Sequence, residues 1–412
     1  MMKKGITLLI MLVVVLSGLL GCSNGRNNVV EVKFDHNASF DTIIEQAKGT
    51  KVRFYGWGGD EQRNKWLDTI VASALKEKYD ITLERVPMDI DQILAKLSGE
   101  KQAEQDSGSI DMIWINGENF YSAKENGLLF GPFADKLPNF QKNIDINSEE
   151  IQKDFGYPIE GYEAPYSKAQ MVLINDSAVT SETPKNTAEL LAYAKKLKGK
   201  VTYPAPPDFT GSAFVRNVIY DIVGHKQFID MEVDKDKVKA AIEPALAYLR
   251  ELNPYLWNEG KTFPATSSKV ENMFVDGELV MSMSYESYSV AVDIEKGIVP
   301  DTARTFIFDN GMIGNTNYIA IAANSPNKAA AMVAINEIIS VELQASQFSA
   351  LKSLPVVEYD KLTDDEKALF DKVHIGKGTI PQDELLSKRL PEMPAKLVPL
   401  IEEIWAEEVV GK

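Results

Sequence analysis

Ile110-Asp111-Met112-Ile113-Trp114-Ile115 is a nearly unbroken apolar run. Such a run marks a strand covered on both faces, as in a parallel sheet packed between helices. Upstream, Lys51-Val52-Arg53-Phe54-Tyr55 reads as a strand that enters Gly56-Trp57-Gly58-Gly59. Trp66, Leu67, Ile70, Val71, Ala74 and Leu75 then recur at spacings of three and four, which predicts one apolar helical stripe running through Tyr79. Ile81 to Val86 is a second strand, followed by a polar helix to about Gln105. Strands alternating with helices predict an α/β lobe.

Past Tyr162 the same grammar returns. Ala169 to Ile174 and Lys200 to Tyr203 read as strands, Thr187 to Leu197 and Thr210 to Val223 as helices. With 412 residues the chain is too long for one core, so a second lobe of the same class is expected. In Leu279-Val280-Met281-Ser282-Met283-Ser284-Tyr285, Leu and Met point one way and Val280, Ser282 and Ser284 the other, as suits a wall or hinge between lobes. Tyr318 to Ala322 and a helix over Asn327 to Ile339 return to the first pattern, and residues 346–412 are expected as a C-terminal helical segment.

The N-terminus predicts an address. Lys3 and Lys4 precede an apolar run from Ile6 to Leu20 that ends in Leu19-Leu20-Gly21-Cys22. A basic start, a short apolar core and a small residue before the cut are the parts of a secretory signal. The run of about 15 residues is short of the roughly 20 that span a bilayer. It resembles a bacterial lipoprotein signal, which implies cleavage after residue 21 and lipidation of Cys22. Cys22 is the chain's one cysteine, so no disulfide can form within one chain. Residues 22–49 then make the lipidated N-terminus and tether, whose polar start Ser23-Asn24-Gly25-Arg26-Asn27-Asn28 has nothing to bury. Loss of residues 1–21 removes two lysines and no acids, taking the formal charge from −16 to −18. That sign argues against nucleic acid and against an anionic membrane surface as partners.

Several motifs together carry a family resemblance. The lipobox, Trp57-Gly58-Gly59, Gly161-Tyr162-Glu163-Ala164-Pro165-Tyr166, Phe274-Val275-Asp276-Gly277-Glu278 and Asn324-Ser325-Pro326-Asn327-Lys328-Ala329-Ala330 occur in this order. The order resembles that of extracellular solute-binding proteins of ABC importers, type II topology. Asp111 to Phe120 and Pro206 to Phe214 resemble a subfamily of poorly defined ligand, distantly related to thiamine, iron and spermidine receptors. The resemblance implies a two-lobed type II periplasmic-binding-protein fold with an interlobe ligand cleft and two hinge crossings. It places lobe 1 at 50–163 plus 284–345 and lobe 2 at 164–283, with crossings near Tyr162 to Pro165 and Val280 to Ser284. It also implies a monomer that meets a small-molecule ligand, a permease with its ATPase, and the membrane through its lipid.

Candidate ligand residues are those on loops that follow strands, since ligands of open α/β sheets sit at the carboxyl ends of strands. Trp57, Gly58 and Gly59 offer an indole and close backbone approach, or simply a turn that lets a helix pack. Asn116, Glu118 and Asn119 follow the buried strand, and either asparagine could instead cap a helix. Asp208, Thr210, Gly211 and Ser212 open a helix, where amides and a hydroxyl suit an anionic group. Asp208 could instead meet a cation or cap the helix. Arg216 could pair with Asp208 or read a ligand carboxylate or phosphate. Tyr166, Tyr285 and Tyr288 flank the expected crossings, Tyr288 as a hinge residue.

Enzyme chemistry has little support. His36, His225 and His374 are far apart in sequence with no paired metal ligands near them, and no nucleophile elbow or phosphate-binding Gly-Lys-Ser/Thr loop occurs. A receptor without cofactor or resident metal is expected, working extracytoplasmically and anchored to the cell membrane by lipid. The resemblance to thiamine and spermidine receptors implies a cationic or heteroaromatic solute, and net acidity and cleft aromatics lean the same way, while the helix start at Gly211 and Ser212 leans toward an anion. A sugar or oxyanion receptor, a surface glycan-acting enzyme, and an adhesin or signalling accessory are the other readings.

Overall fold

The structure, a computed structural model, describes residues 34–412, so the expected signal and lipidated Cys22 lie outside the described residues. Asn37–Lys412 form one compact unit. Its strands are β1 (Lys51–Gly56), β2 (Thr82–Pro87), β3 (Met112–Ile115), β4 (Leu129–Phe130), β5 (Lys153–Asp154), β6 (Tyr157–Pro158), β7 (Glu163–Gln170), β8 (Val172–Asp176), β9 (Met281–Ser284), β10 (Ala303–Phe306), β11 (Met312–Ala322) and β12 (Arg389–Leu390).

The larger sheet runs β12-β11-β3-β1-β2, with β4 and β7 also paired to β11. β1 lies parallel to β2 and β3, as a βαβ grammar requires, and β11 runs antiparallel to β3 and β7. All eleven residues of β11 are buried, because strands or helices cover it on every side. The helix after β1 begins at Asp60, whose carboxylate accepts from the Gln62 and Arg63 amides at 2.9 and 3.0 Å. Its stripe departs from the expected one at a π turn over Leu67–Val71. The wider turn rotates Ile70 out to 41% exposure while Trp66, Leu67, Val71 and Leu75 stay buried.

The smaller sheet, β10-β8-β9, is antiparallel throughout. The second lobe is therefore α/β without the parallel sheet of the first. Val201 to Tyr203 is buried and Lys200 exposed, and the stretch joins no ladder: Lys200 and Val201 carbonyls accept from the Val280 and Trp257 amides instead. The expected strand at 169–174 divides at Met171, leaving β7 in the large sheet and β8 in the small one. The expected return crossing at Val280 to Ser284 is corrected as well. β9 pairs only with β8, and residues 303–306 join the same small sheet. The chain re-enters the large sheet between β10 and β11, so the two sheets are joined at Gln170–Val172 and Phe306–Met312. Met312 to Ala322 is one continuous strand, longer than its apolar centre at Tyr318 to Ala322 suggested.

The C-terminal segment is partly helical, and its last helix, Val398–Glu408, docks on the second lobe. It buries Val398, Ile401, Ile404 and Trp405, and the Trp405 indole donates to the Tyr203 hydroxyl at 3.1 Å. Among the described residues no helix is long and apolar enough to cross a membrane.

Candidate functional site

The loops after β1 and β3 on one lobe meet the start of the Phe209–Val223 helix and the loop after β9 on the other. Two polar clusters line this boundary. They touch at Tyr285 and Glu286, consecutive residues that belong to different clusters.

The first cluster is built on Arg63. Its side chain is 2% exposed, its guanidinium lies 5.0 Å from the Trp114 ring and 5.8 Å from the Tyr166 ring, and these rings meet edge to face at 5.8 Å. Nη2 donates to the Glu286 carboxylate, which comes from the opposite lobe, and to the Ser353 hydroxyl at 3.1 Å. Asp60 Oδ2 stands 3.5 Å from Nε, yet Nε and Nη1 make no hydrogen bond, and neither does the Tyr166 hydroxyl. Burial opposes the charge on Arg63, but Glu286, Tyr166 and Asp60 together hold the group firmly protonated. Burial pushes the Glu286 carboxyl above its ordinary range against the pull of Arg63.

Asp60 also faces acids of the other lobe. Burial, then Glu271, pushes Asp293 up to about 7, and Asp60 adds to the shift. Glu271 is raised by desolvation and by Asp60. Asp60 thus acts on all three acids of the other lobe, with Arg63 opposing at Glu286 and Lys296 at Asp293. Among the described residues no group of three or more His, Cys, Asp or Glu is placed to hold a metal ion. Trp57 stands at the edge of this cluster, 45% exposed. A Cβ on Gly59 would come within 2.2 Å of its ring, so only glycine lets the indole lie there.

The second cluster gathers Glu118, Ser212, Arg216 and Tyr285. Arg216, 1% exposed, donates from Nε and Nη2 to the two Glu392 oxygens at 3.1 and 3.2 Å and from Nη1 to the Ser212 hydroxyl at 2.5 Å. Ser212 donates in turn to Glu402 at 2.5 Å, and Tyr285 donates to Glu392. Burial pushes Glu118 up to about 7, opposed by Arg216 and reinforced by Glu402 and Glu392. A cavity of 600 Å³ opens beside it, lined by Glu118, Asn119, Tyr121 and Ser122 from one lobe and by Val233 and Lys396 facing them. A second cavity of 640 Å³, lined by Arg53, Glu100 and Asn327 among others, belongs to the first lobe alone, so lobe closure would not enclose it.

Several expected contacts resolve as structure. Asp208 accepts from the Gly211 amide with one oxygen and from the Ser267 amide with the other, both at 2.9 Å, so it caps one helix and ties down the start of another. It does not pair with Arg216, nor do the contacts bring it to Glu118. Thr210 is buried, and a Cβ on Gly211 would lie 2.1 Å from the Pro204 carbonyl oxygen. With Gly211 held by Asp208 and Ser212 by Glu402, this helix start is already occupied. A Cβ on Gly58 would meet Pro87 at 2.5 Å, so close packing accounts for that glycine. Asn116 stands at a helix start without capping it. Its side chain donates to the Thr316 carbonyl at 2.9 Å and accepts from the Trp114 indole at 3.1 Å, linking β3 to β11. Asn119 bonds Glu118 at 3.0 Å. Arg63, Glu271, Glu286, Asp293, Glu392 and Glu402 were not among the expected site residues. Asp60 ends the loop that begins at Trp57, and Arg63 lies in the first turn of the helix after it, so that position was the available signal.

A two-lobed α/β body with polar and aromatic groups meeting at the lobe boundary is the architecture of a solute-binding protein. Residues 71–367 match the family model described as bacterial extracellular solute-binding protein, and the chain belongs to that family. It is 32% identical to Protein YnjB of Escherichia coli over 374 residues, 90% of this chain and 94% of that protein. Among solved structures it resembles the spermidine/putrescine ABC transporter substrate-binding protein PotD from Streptococcus pneumoniae, with TM-score 0.61, 13% identity, and coverage of 87% and 98% of the two chains. The fructose-6-phosphate-bound periplasmic binding protein AfuA from Actinobacillus pleuropneumoniae matches with TM-score 0.60, 14% identity, and coverage of 87% and 98%. The chain is thus an extracytoplasmic binding protein and not an enzyme.

Proposed function

We propose that this protein is a lipid-tethered receptor that captures a cationic small molecule between its lobes and delivers it to an ABC-type permease. The ligand class is supported by Asp60 on one lobe, which pairs with Arg63 and acts electrostatically on Glu271, Glu286 and Asp293 of the other. A cation placed there relieves like-charge repulsion only when the lobes are together, so it favours closure through differential contact. Trp57, 45% exposed, supplies a ring face that attracts cations, while the Trp114 and Tyr166 rings already hold Arg63. The spermidine/putrescine named for one structural neighbour agrees with this class, while the fructose-6-phosphate bound to the other points to a different one.

A thermal-shift screen of putrescine, spermidine, thiamine, neutral sugars and oxyanions tests the reading. A ligand at about 100 times its dissociation constant adds roughly 2.7 kcal/mol of stability. Stabilisation by cations, with a smaller radius of gyration in their presence, is expected; stabilisation by sugars or oxyanions alone would overturn the ligand class. The tether rests on the lipobox ending at Cys22. Cys22→Ser should abolish labelling by a palmitate analogue, and equal labelling of both proteins would remove the anchor from the proposal.

A further inference from the structure

We propose that Arg63 is the subsite for a carboxylate of the captured solute, a place that the carboxylate of Glu286 fills in this conformation, so that the solute carries both signs. This rests on the reading of the lobe boundary as the capture site.

The argument starts from what Arg63 lacks. A buried guanidinium is stable only when its donors are matched, and here Nε and Nη1 make no hydrogen bond although the group is almost wholly enclosed. The Trp114 and Tyr166 rings, at right angles to each other, lie 5.0 and 5.8 Å from the guanidinium carbon and help to hold it in place. The one carboxylate bonded to it arrives from the other lobe, on a loop rather than on a regular element, and is itself 24% exposed. When the lobes part, Glu286 withdraws and Arg63 keeps only Asp60, whose Oδ2 stands 3.5 Å from Nε. A ligand carboxylate could then take over the set Glu286 now uses, Arg63 Nη2 and the Ser353 hydroxyl, and reach the unpartnered donors as well. On the neighbouring side Asp60, whose Oδ1 caps its helix and whose Oδ2 stands 3.5 Å from Arg63 Nε, acts on Glu271 and Asp293 across the boundary and would receive an ammonium between them. The two charges are thus read by different residues, and a diamine or a dicarboxylate would satisfy one set and offend the other.

Three matched series test this on the mature protein: ω-amino acids from glycine to 6-aminohexanoate, diamines and dicarboxylates of the same chain lengths. Each is followed by thermal shift and by scattering. At one chain length the amino acid should stabilise more than its diamine and dicarboxylate counterparts, and Arg63→Gln should weaken it roughly ten- to a hundredfold, the loss of a charged hydrogen bond. Arg63→Gln could fail to fold, so Glu286→Ala gives an independent reading. It opens a carboxylate-sized gap beside a stranded cation, and acetate at about 50 mM should restore much of the lost melting temperature where the same concentration of chloride does not. No preference for the amino acids at any length, or no rescue by acetate, overturns the subsite. Diamines that bind best and compact the protein would do so while leaving the receptor for cations intact. A bound series member that produces no compaction would instead count against the closing receptor.

Discussion

Glu118→Gln should stabilise the protein at alkaline pH and leave it unchanged at acid pH. In the folded chain burial pushes this carboxyl from 4.5 up to about 7, Arg216 opposing and Glu402 and Glu392 adding to the rise. Between those two values the folded protein keeps a proton that the unfolded chain has released. Stability from this group is therefore greatest below about 4.5 and falls as pH rises to about 7. At ~1.4 kcal/mol for each tenfold change in proton affinity, the full fall is about 3 kcal/mol. Gln mimics the protonated acid, and its amide oxygen can still accept from Asn119, which now bonds Oε1 at 3.0 Å. The Oε2 position has no partner to lose. Urea denaturation of both proteins at several pH values from 5 to 8 reads the difference directly. It should be near zero at the acid end and approach about 2 to 3 kcal/mol in favour of Gln at the alkaline end. A difference that does not change with pH, or a Gln variant less stable at pH 8, would refute the reasoning and mean that the attraction to Arg216 outweighs burial.

Arg216→Met should lose about 3 to 5 kcal/mol in the same assay, because it leaves Glu392 buried without its cation; a loss below about 1 kcal/mol would show that water reaches the pair. Asp208→Ala removes the acceptor for the Gly211 and Ser267 amides and should cost about 1 to 2 kcal/mol of stability. Affinity for whichever solute stabilises the wild type should stay within a few-fold, and a large loss of affinity without loss of stability would return Asp208 to the binding site.

Local order was readable along the chain wherever one periodicity ran without interruption. The strand at Met112–Ile115, the strand-turn-helix at Lys51 to Tyr79 and the helix from Phe209 each follow from side-chain pattern and capping residues within a few positions. The π turn at Leu67–Val71 escaped this reading because a one-residue widening leaves no mark in an otherwise continuous stripe. The hinge was misplaced for a different reason. Met281–Ser284 and Met312–Ala322 both read as strands, and only the pairing decides that the first belongs to the small sheet and the second rejoins the large one.

Charge partners show the same division more sharply. The sequence marked Trp57, Glu118, Ser212 and Arg216 as candidates at or just after strand-to-helix loops, and the family motifs were equally plain. It could not say that Arg216 is held by Glu392, 176 positions away, or that Arg63 reaches Glu286 across 223. Nor could it say that Asp208 spends its second oxygen on an amide 59 positions on. Periodicity and capping are local, fixed by the geometry of a few consecutive residues. Which buried charge meets which depends on how two lobes and a C-terminal segment pack together, and that is set by the whole core at once.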